Sequence, residues 1–116
     1  MAAIQGAIDT LENYGQIDHM KAKRVFYDKA VLPAGEVVEM VIRQLPELSP
    51  ERPHGLKYSL FYGLDGERIV GYDNERGKGD HKHSGSNETL CRFVSVEKLV
   101  ADFLADVERA KNDRNS

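Results

Sequence analysis

Two histidines, His81 and His83, flank Lys82 within the polar segment 71–85, which reads GYDNERGKGDHKHSG. In an extended chain, residues i and i+2 project to the same side, so both imidazoles would face one substrate. At neutral pH a histidine pair supplies one base and one acid, the two groups that metal-free RNA cleavage by the 2′-hydroxyl requires. The spacing therefore predicts acid–base catalysis on a phosphodiester, with either histidine as the acid.

Charged residues accompany this pair in the sequence. Asp80 is predicted to orient or tune an imidazole, because a neighbouring carboxylate changes how readily histidine holds its proton. Arg76, Lys78 and Lys82 are predicted to bind the phosphate and to neutralise the charge that develops on it during cleavage. The segment thus contains candidates for proton transfer and for substrate binding.

The same segment is open to three other interpretations. Glycine-rich polar stretches are usually solvated surface loops. Asp80, His81 and His83 are also a candidate metal-ligand set, although a recognised zinc pattern needs a second cluster, which one of three further residues would have to supply: His19, His54 or Cys91. A phosphate-binding glycine loop is disfavoured, because the Gly-Lys pair lacks the required spacing. We predict a site without a metal or cofactor.

The composition restricts the class of protein. With 116 residues, 41% of them hydrophobic and 30% charged, the chain is long enough for one domain with one modest core. A net charge of −3 excludes a uniformly basic nucleic-acid binder, so any such binding needs a local patch. The single cysteine, Cys91, excludes an internal disulfide framework and predicts a reducing compartment. Without a signal-peptide pattern or an apolar run of ~20 residues, the expectation is a cytoplasmic protein with no membrane partner.

Apolar spacing predicts a helix near the N-terminus. Ile4, Ile8 and Leu11 lie on one stripe of a short amphipathic helix. We interpret residues 1–19 as an extension that carries this helix, and residues 20–110 as a single domain.

Two hairpins are predicted to follow. The first joins the runs MKAKRVFYDKAVL and GEVVEMVIRQL, because Pro33 and Gly35 between them are typical of a turn. The second turns at the Asp-Gly pair 65–66, the strongest short hairpin signal in the chain. Its first strand alternates, which places Leu60 on one face and Lys57 on the other.

The last predicted elements are a short strand at 90–94 and a helix at 96–110. Ser95 is a good N-cap, and Glu97 in the first turn complements the helix dipole. Residues 111–116 are predicted to be a frayed tail. Because strands joined by tight turns are antiparallel, the predicted fold class is α+β, with a sheet of about five strands covered by the C-terminal helix and an additional N-terminal helix. The apolar stripe of the C-terminal helix comprises Val96, Leu99, Val100, Phe103, Leu104 and Val107.

Three stretches, HGLKYSLFYG, YDNERGKGDHKH and FVSVEKLVADFLADV, resemble the TumE family of small prokaryotic proteins. The resemblance covers residues 20–110, and members of the family are toxins of toxin–antitoxin pairs. It implies an antitoxin partner with a helix-turn-helix region and growth inhibition by RNA cleavage. The charged segment and a later arginine of the family fall on Tyr72, Asp73, Asn74, Arg76, Lys78, Gly79, Asp80, His81, His83 and Arg92.

Together, the residues and the resemblance predict a toxin-like endoribonuclease of a type II toxin–antitoxin pair that needs no metal. The predicted catalytic residues are His81, His83 and Asp80. The predicted residues for binding the RNA substrate are Arg76, Lys78, Lys82, Arg92, Lys57 and Tyr72. Two other classes stay open, a non-catalytic protein-interaction module and a small metal-binding domain, and so does a homodimer.

Overall fold

In the part of the chain that the structure describes, six strands pair antiparallel with their neighbours in chain order, so the sheet is a meander. The computed structural model describes residues 23–50, 52–74 and 79–115. Within these ranges one helix, α1 (Val96–Asn115), follows the last strand. The strands are β1 (Lys23–Val31), β2 (Val37–Gln44), β3 (Leu56–Leu64), β4 (Glu67–Asp73), β5 (His81–Ser84) and β6 (Asn87–Leu90).

The apolar core lies between one face of the sheet and α1. Alternation along β2 and β3 turns every second side chain toward the helix, where Met40, Leu60 and Tyr62 are buried. Phe103 of α1 belongs to the same core and meets the ring of Tyr72 edge-on, with 6.0 Å between the centroids. Burying one such side chain contributes about 1.5–3 kcal/mol, so the apolar stripe of α1 fixes the helix on the sheet.

The start of α1 agrees with the predicted cap. The hydroxyl oxygen of Ser95 accepts the backbone N–H of Lys98 at 3.1 Å, which satisfies one of the free donors of the first turn. The helix continues to Asn115 and does not end at residue 110. Over the part of the chain that the structure describes, no helix is both long enough and apolar enough to span a membrane.

The α+β class is confirmed, but the predicted sheet was one strand short. β4 continues through Asp73, and β5 lies inside the segment whose simplest interpretation was a loop. The last strand was also misplaced, because β6 ends at Leu90 and residues 91–94 connect it to the helix without being a strand. Hydrophobic alternation misses β5 and β6 because nearly all of their side chains are polar. The helix predicted within residues 1–19 lies outside the described residues.

The second face of the sheet lies opposite α1, and we call it the open face. Cross-strand pairing places Arg43 of β2 beside Lys57 of β3, and Ser59 of β3 beside Asp73 of β4. This part of the open face therefore carries charged and polar side chains, although the same face also includes the apolar Val41 and Phe61.

Candidate active site

The β4–β5 hairpin brings Asp73, His81 and His83 together on the open face, and we call these three residues the Asp–His–His cluster. The register pairs Asp73 with His81 and Gly71 with His83, so both imidazoles lie on one side, as their i, i+2 spacing predicts. Nε2 of His81 lies 2.7 Å from Oδ1 of Asp73, and Nε2 of His83 lies 3.4 Å from Oδ2. Two imidazoles therefore share one carboxylate, with 5.0 Å between the ring centroids.

His81 is almost fully buried, with 2% of its surface exposed. Its Nδ1 lies 2.9 Å from the carbonyl oxygen of Gly79, and its Nε2 faces Asp73. A carbonyl and a carboxylate accept hydrogen bonds, so both ring nitrogens are placed to donate. Both ring nitrogens of His81 thus face acceptors, and one of these acceptors is the Asp73 carboxylate.

His83 is also buried, but its partners favour a different state. Its Nδ1 lies 3.0 Å from Nη2 of Arg68. A guanidinium can only donate, so this contact favours a lone pair on Nδ1 and the ring proton on Nε2, toward Asp73. Oε2 of Glu88 lies 3.6 Å from the same Nδ1 and favours a proton there. Arg68 and Glu88 therefore favour opposite tautomers of His83.

Arg68 reaches His83 because residue 71 is a glycine. A Cβ at Gly71 would lie 2.6 Å from Cδ of Arg68, which is closer than real side chains approach. Gly71 is also the residue opposite His83 in the strand pairing. The absence of a side chain at this position leaves the space through which Arg68 contacts the imidazole.

A groove of about 610 Å³ lies on the open face beside the cluster. Its lining includes the cations Arg43, Lys57 and Arg68, together with Ser59 and Asp73. Lys57 was predicted to bind the substrate, and it lies in this groove. Three cations along one groove form the local basic patch that a chain of net charge −3 needs in order to hold a polyanion.

The model of the family described as Toxin TumE matches residues 8–111. This chain belongs to the TumE toxin family. The match includes every described strand, and it begins within the segment 1–19 that we interpret as an extension. Family membership makes the chain a toxin of a toxin–antitoxin system and implies an antitoxin partner. Searches of curated proteins and of solved structures found no match.

Asp80 of this TumE-family toxin contacts neither imidazole of the Asp–His–His cluster. Its Oδ1 accepts a hydrogen bond from the hydroxyl of Tyr58 at 2.7 Å and lies 3.2 Å from Nε2 of His54. Nδ1 of His54 in turn accepts the backbone N–H of Leu56. Neighbouring residues of an extended chain point to opposite sides, so Asp80 turns away from the histidine that follows it. The carboxylate between the two imidazoles is Asp73.

His54, Asp80 and Tyr58 form a second cluster, which we call the His54–Asp80–Tyr58 cluster. The ring of Phe93 packs against His54 with 4.2 Å between the centroids. Burial raises the pKa of Tyr58 well above its ordinary value, and the hydrogen bond to Asp80 raises it further. The hydroxyl therefore keeps its proton and remains a donor. This cluster ties β3 to the residue that precedes β5.

Two residues predicted to bind the substrate, Lys82 and Tyr72, lie on the helix-covered side of the sheet. They are paired across β4 and β5. The hydroxyl of Tyr72 donates to Asp106, and Nζ of Lys82 lies 3.9 Å from the same carboxylate. The ring of Tyr72 is buried against Phe103. In the TumE-family toxin these two residues hold α1 and do not face the groove.

Of the remaining residues predicted to bind phosphate, the structure describes Arg92 but not Arg76 or Lys78. Arg92 follows β6 and lines a small cavity with Lys98 and Asp102 of α1, on the helix-covered side. Arg76 and Lys78 lie outside the described residues, so their roles stay predictions. Of the predicted substrate-binding residues that the structure describes, Lys57 alone lines the groove.

Arg43, Arg68 and Glu88 were not predicted as site residues, and Asp73 was given no role. These residues lie on β2, β4 and β6, so the strand pairing brings them together across long stretches of the chain. Alternation along β4 does indicate that Asp73 lies on the face away from the core. The pairing of β4 with β5 carries no local signal, because a seven-residue connection, 74–80, separates the two strands.

Proposed function

We propose that this chain is an endoribonuclease toxin that cleaves RNA by acid–base catalysis without a metal. The observation that carries the proposal is the unequal hydrogen bonding of two adjacent imidazoles. His81 faces acceptors at both nitrogens, whereas Nδ1 of His83 lies 3.0 Å from a donor, Nη2 of Arg68. One acid and one base side by side are the groups that cleavage by the 2′-hydroxyl requires.

The groove supplies the proposed binding surface for the RNA strand. Arg43, Lys57 and Arg68 line it, and contacts of such cations with phosphates provide most of the sequence-independent affinity for nucleic acid. Arg68 and Asp73 belong to the groove and also contact the histidines. A strand that follows the cations is thereby led to the Asp–His–His cluster.

Arg68 links substrate binding to the proposed reaction. A phosphate in the groove attracts the guanidinium away from His83, because a charged acceptor binds it more strongly than a neutral imidazole does. The freed Nδ1 of His83 takes the proton of the 2′-hydroxyl, and that oxygen forms a bond to phosphorus. The bond from phosphorus to the 5′ oxygen breaks, and His81 donates its Nε2 proton to the leaving oxygen. Asp73 orients both rings, and the products are a 2′,3′-cyclic phosphate and a 5′-hydroxyl.

RNA cleavage by the purified chain tests the proposal. We expect the wild-type protein to cleave total RNA equally well with and without EDTA, leaving cyclic phosphate ends. His81→Gln and His83→Gln should each lower the rate about 10²–10⁴-fold, and the double variant should lower it little further, because the two groups act as a unit. His54→Gln is the matched control, since this histidine lies in the other cluster, and it should cleave normally.

Three outcomes would contradict this assignment. Full growth inhibition by the double histidine variant would place the chemistry outside the Asp–His–His cluster. Cleavage that EDTA abolishes would show that a metal is required. Loss of antitoxin binding with cleavage unchanged in the histidine variants would make the cluster a partner surface.

The antitoxin is proposed to carry a helix-turn-helix region and to cover the basic groove, because an acidic surface there would block access of RNA. Both partners would act in the cytoplasm, where the RNA substrate lies. Replacing Arg43 and Lys57 by Glu should weaken copurification of the antitoxin, and unchanged copurification would move the interface elsewhere. Light scattering on the isolated chain tests the homodimer.

A further inference from the structure

The Asp–His–His cluster has the donor set of a metal site. One ligand atom from each of Asp73, His81 and His83 lies within 4.8 Å of the other two. Both imidazoles direct Nε2 at the carboxylate. Two imidazole nitrogens and one carboxylate oxygen suit Zn²⁺ and related transition metals, whereas Mg²⁺ prefers oxygen ligands and keeps its waters.

The groups behind the imidazoles also match a metal site. A histidine that binds a metal through one nitrogen usually donates its other N–H to a carbonyl or a carboxylate. Nδ1 of His81 lies 2.9 Å from the carbonyl oxygen of Gly79, and Nδ1 of His83 lies 3.6 Å from Oε2 of Glu88. Nδ1 of His81 thus has an outer acceptor within hydrogen-bond distance, whereas Nδ1 of His83 has the Glu88 carboxylate just beyond that distance and the Arg68 guanidinium nearer, at 3.0 Å.

We infer that Asp73, His81 and His83 bind Zn²⁺, and that the bound ion inhibits RNA cleavage; the inhibition rests on the proposed function. Three protein ligands leave a fourth position of a tetrahedral ion open to water. The ion takes the Nε2 lone pair of each ring. It therefore displaces the proton that His81 would give to the leaving oxygen, and it holds His83 with a proton on Nδ1. Metal binding and proton transfer exclude each other.

Arg68 and Glu88 set the balance between these two states. Coordination through Nε2 leaves the ring proton of His83 on Nδ1. The Glu88 carboxylate near this nitrogen favours a proton there, and the Arg68 guanidinium disfavours it. Arg68→Ala should therefore tighten zinc binding, and Glu88→Ala should weaken it by about 10–100-fold, as for other outer partners of metal ligands. Arg43→Ala is the matched control, because Arg43 also lines the groove and carries the same charge. It should leave the zinc affinity nearly unchanged.

Titration of the tag-free full chain with zinc alone, followed by calorimetry, tests the site independently of activity. We expect one zinc per chain with wild-type protein, no stoichiometric binding with Mg²⁺, and loss of zinc binding in Asp73→Asn and His83→Gln. Co²⁺ bound in place of Zn²⁺ should give the visible absorption bands of a tetrahedral site, and these bands should be absent in both variants. Circular dichroism and thermal melting show whether the variants are folded. Absence of stoichiometric zinc binding in the wild type, or binding that both folded variants retain, would overturn the inference.

A cleavage assay with the same samples separates the inference from the proposed function. EDTA-treated protein should cleave RNA, and zinc-loaded protein should not, whereas zinc-loaded Glu88→Ala should recover cleavage on dilution sooner than the wild type. Activation by zinc would overturn the inhibition and the metal-free mechanism together, while the calorimetry would still establish the site. Normal zinc binding with no cleavage in either state would overturn the ribonuclease proposal and leave the zinc site standing.

Discussion

The two faces of the sheet each carry a cluster of histidine and aspartate, and the clusters differ in how their hydrogen bonds are shared. On the helix-covered side, Nδ1 of His54 accepts one backbone N–H, and its Nε2 faces Asp80. Asp80 also accepts the hydroxyl of Tyr58, and Phe93 packs against the imidazole. Each nitrogen of that imidazole thus has one partner, as in a network that stabilises a fold.

On the open face the partners compete. Asp73 faces two imidazoles, and Nδ1 of His83 lies near both Arg68 and Glu88. Nδ1 of His83 thus lies near two groups of opposite charge, whereas each nitrogen of His54 has one partner. The comparison shows that a histidine–aspartate contact alone is not sufficient to propose an active site. The Asp–His–His cluster differs in two ways: Nδ1 of His83 has two competing partners, and the cluster lies beside a basic groove.

The largest contrast is expected between the two aspartates. Asp73→Asn removes the charge that both imidazoles share and should lower RNA cleavage by about 10²–10⁴-fold, because the proposed acid and the proposed base both lose their orientation. Asp80→Asn should retain cleavage and instead lower the melting temperature, because it weakens the bonds to Tyr58 and His54. Equal losses of cleavage in the two folded variants would remove the distinction between the clusters.

The helix-covered face should respond to truncation through stability alone. Phe103 has 0% of its surface exposed, so Phe103→Ala leaves a cavity and should lower the free energy of unfolding by about 3–5 kcal/mol. Glu108→Ala is a control on the same helix, because its side chain is 61% exposed, and it should change stability by less than about 0.5 kcal/mol. Chemical denaturation measures both. Near-normal stability of Phe103→Ala would mean that α1 is not part of the core.

A smaller effect is expected for a single cation of the groove. Lys57→Ala should weaken RNA binding a few-fold and reduce the slope of log affinity against log salt by about 1, as for the loss of one phosphate contact. Lys98→Ala removes an exposed lysine from α1 and should leave both quantities unchanged. Equal effects of the two substitutions would show that RNA responds to total charge and not to the groove.

Much of the core was predictable from the sequence, because apolar residues must alternate on a half-buried strand and recur on one stripe of a helix. Leu60 and Phe103 are buried in the core, as these two patterns predict. It also predicted that His81 and His83 share a side, since that follows from strand geometry once the segment is extended. These predictions depend only on residues close together in the chain.

The rest of the candidate site depends on contacts between strands. Asp80 was assigned to the histidines because it precedes them in sequence, yet adjacency in an extended chain sends side chains to opposite faces. Asp73 takes that position through the β4–β5 register, and Arg68 through the space above Gly71. Lys82 and Tyr72 were misplaced for the same reason, since each lies one position away from a residue of the open face.

The smallest expected effect concerns Cys91, whose pKa tests whether the charges of the two clusters act independently. Burial raises the pKa of its thiol above the ordinary 9.0, and the charge of Asp80 raises it further. The folded chain therefore keeps the thiol proton to a higher pH than the unfolded chain. The resulting contribution to the free energy of unfolding is present below the unfolded pKa and is lost as pH rises through the folded pKa. Alkylation by iodoacetamide, followed by mass spectrometry, should reach half its maximal rate at a higher pH in the folded chain than in denaturant. Asp80→Asn should lower the midpoint pH of the folded chain part of the way toward that of the denatured chain, whereas Asp73→Asn should leave it unchanged. Equal shifts in the two variants would show that the two clusters act as one electrostatic unit.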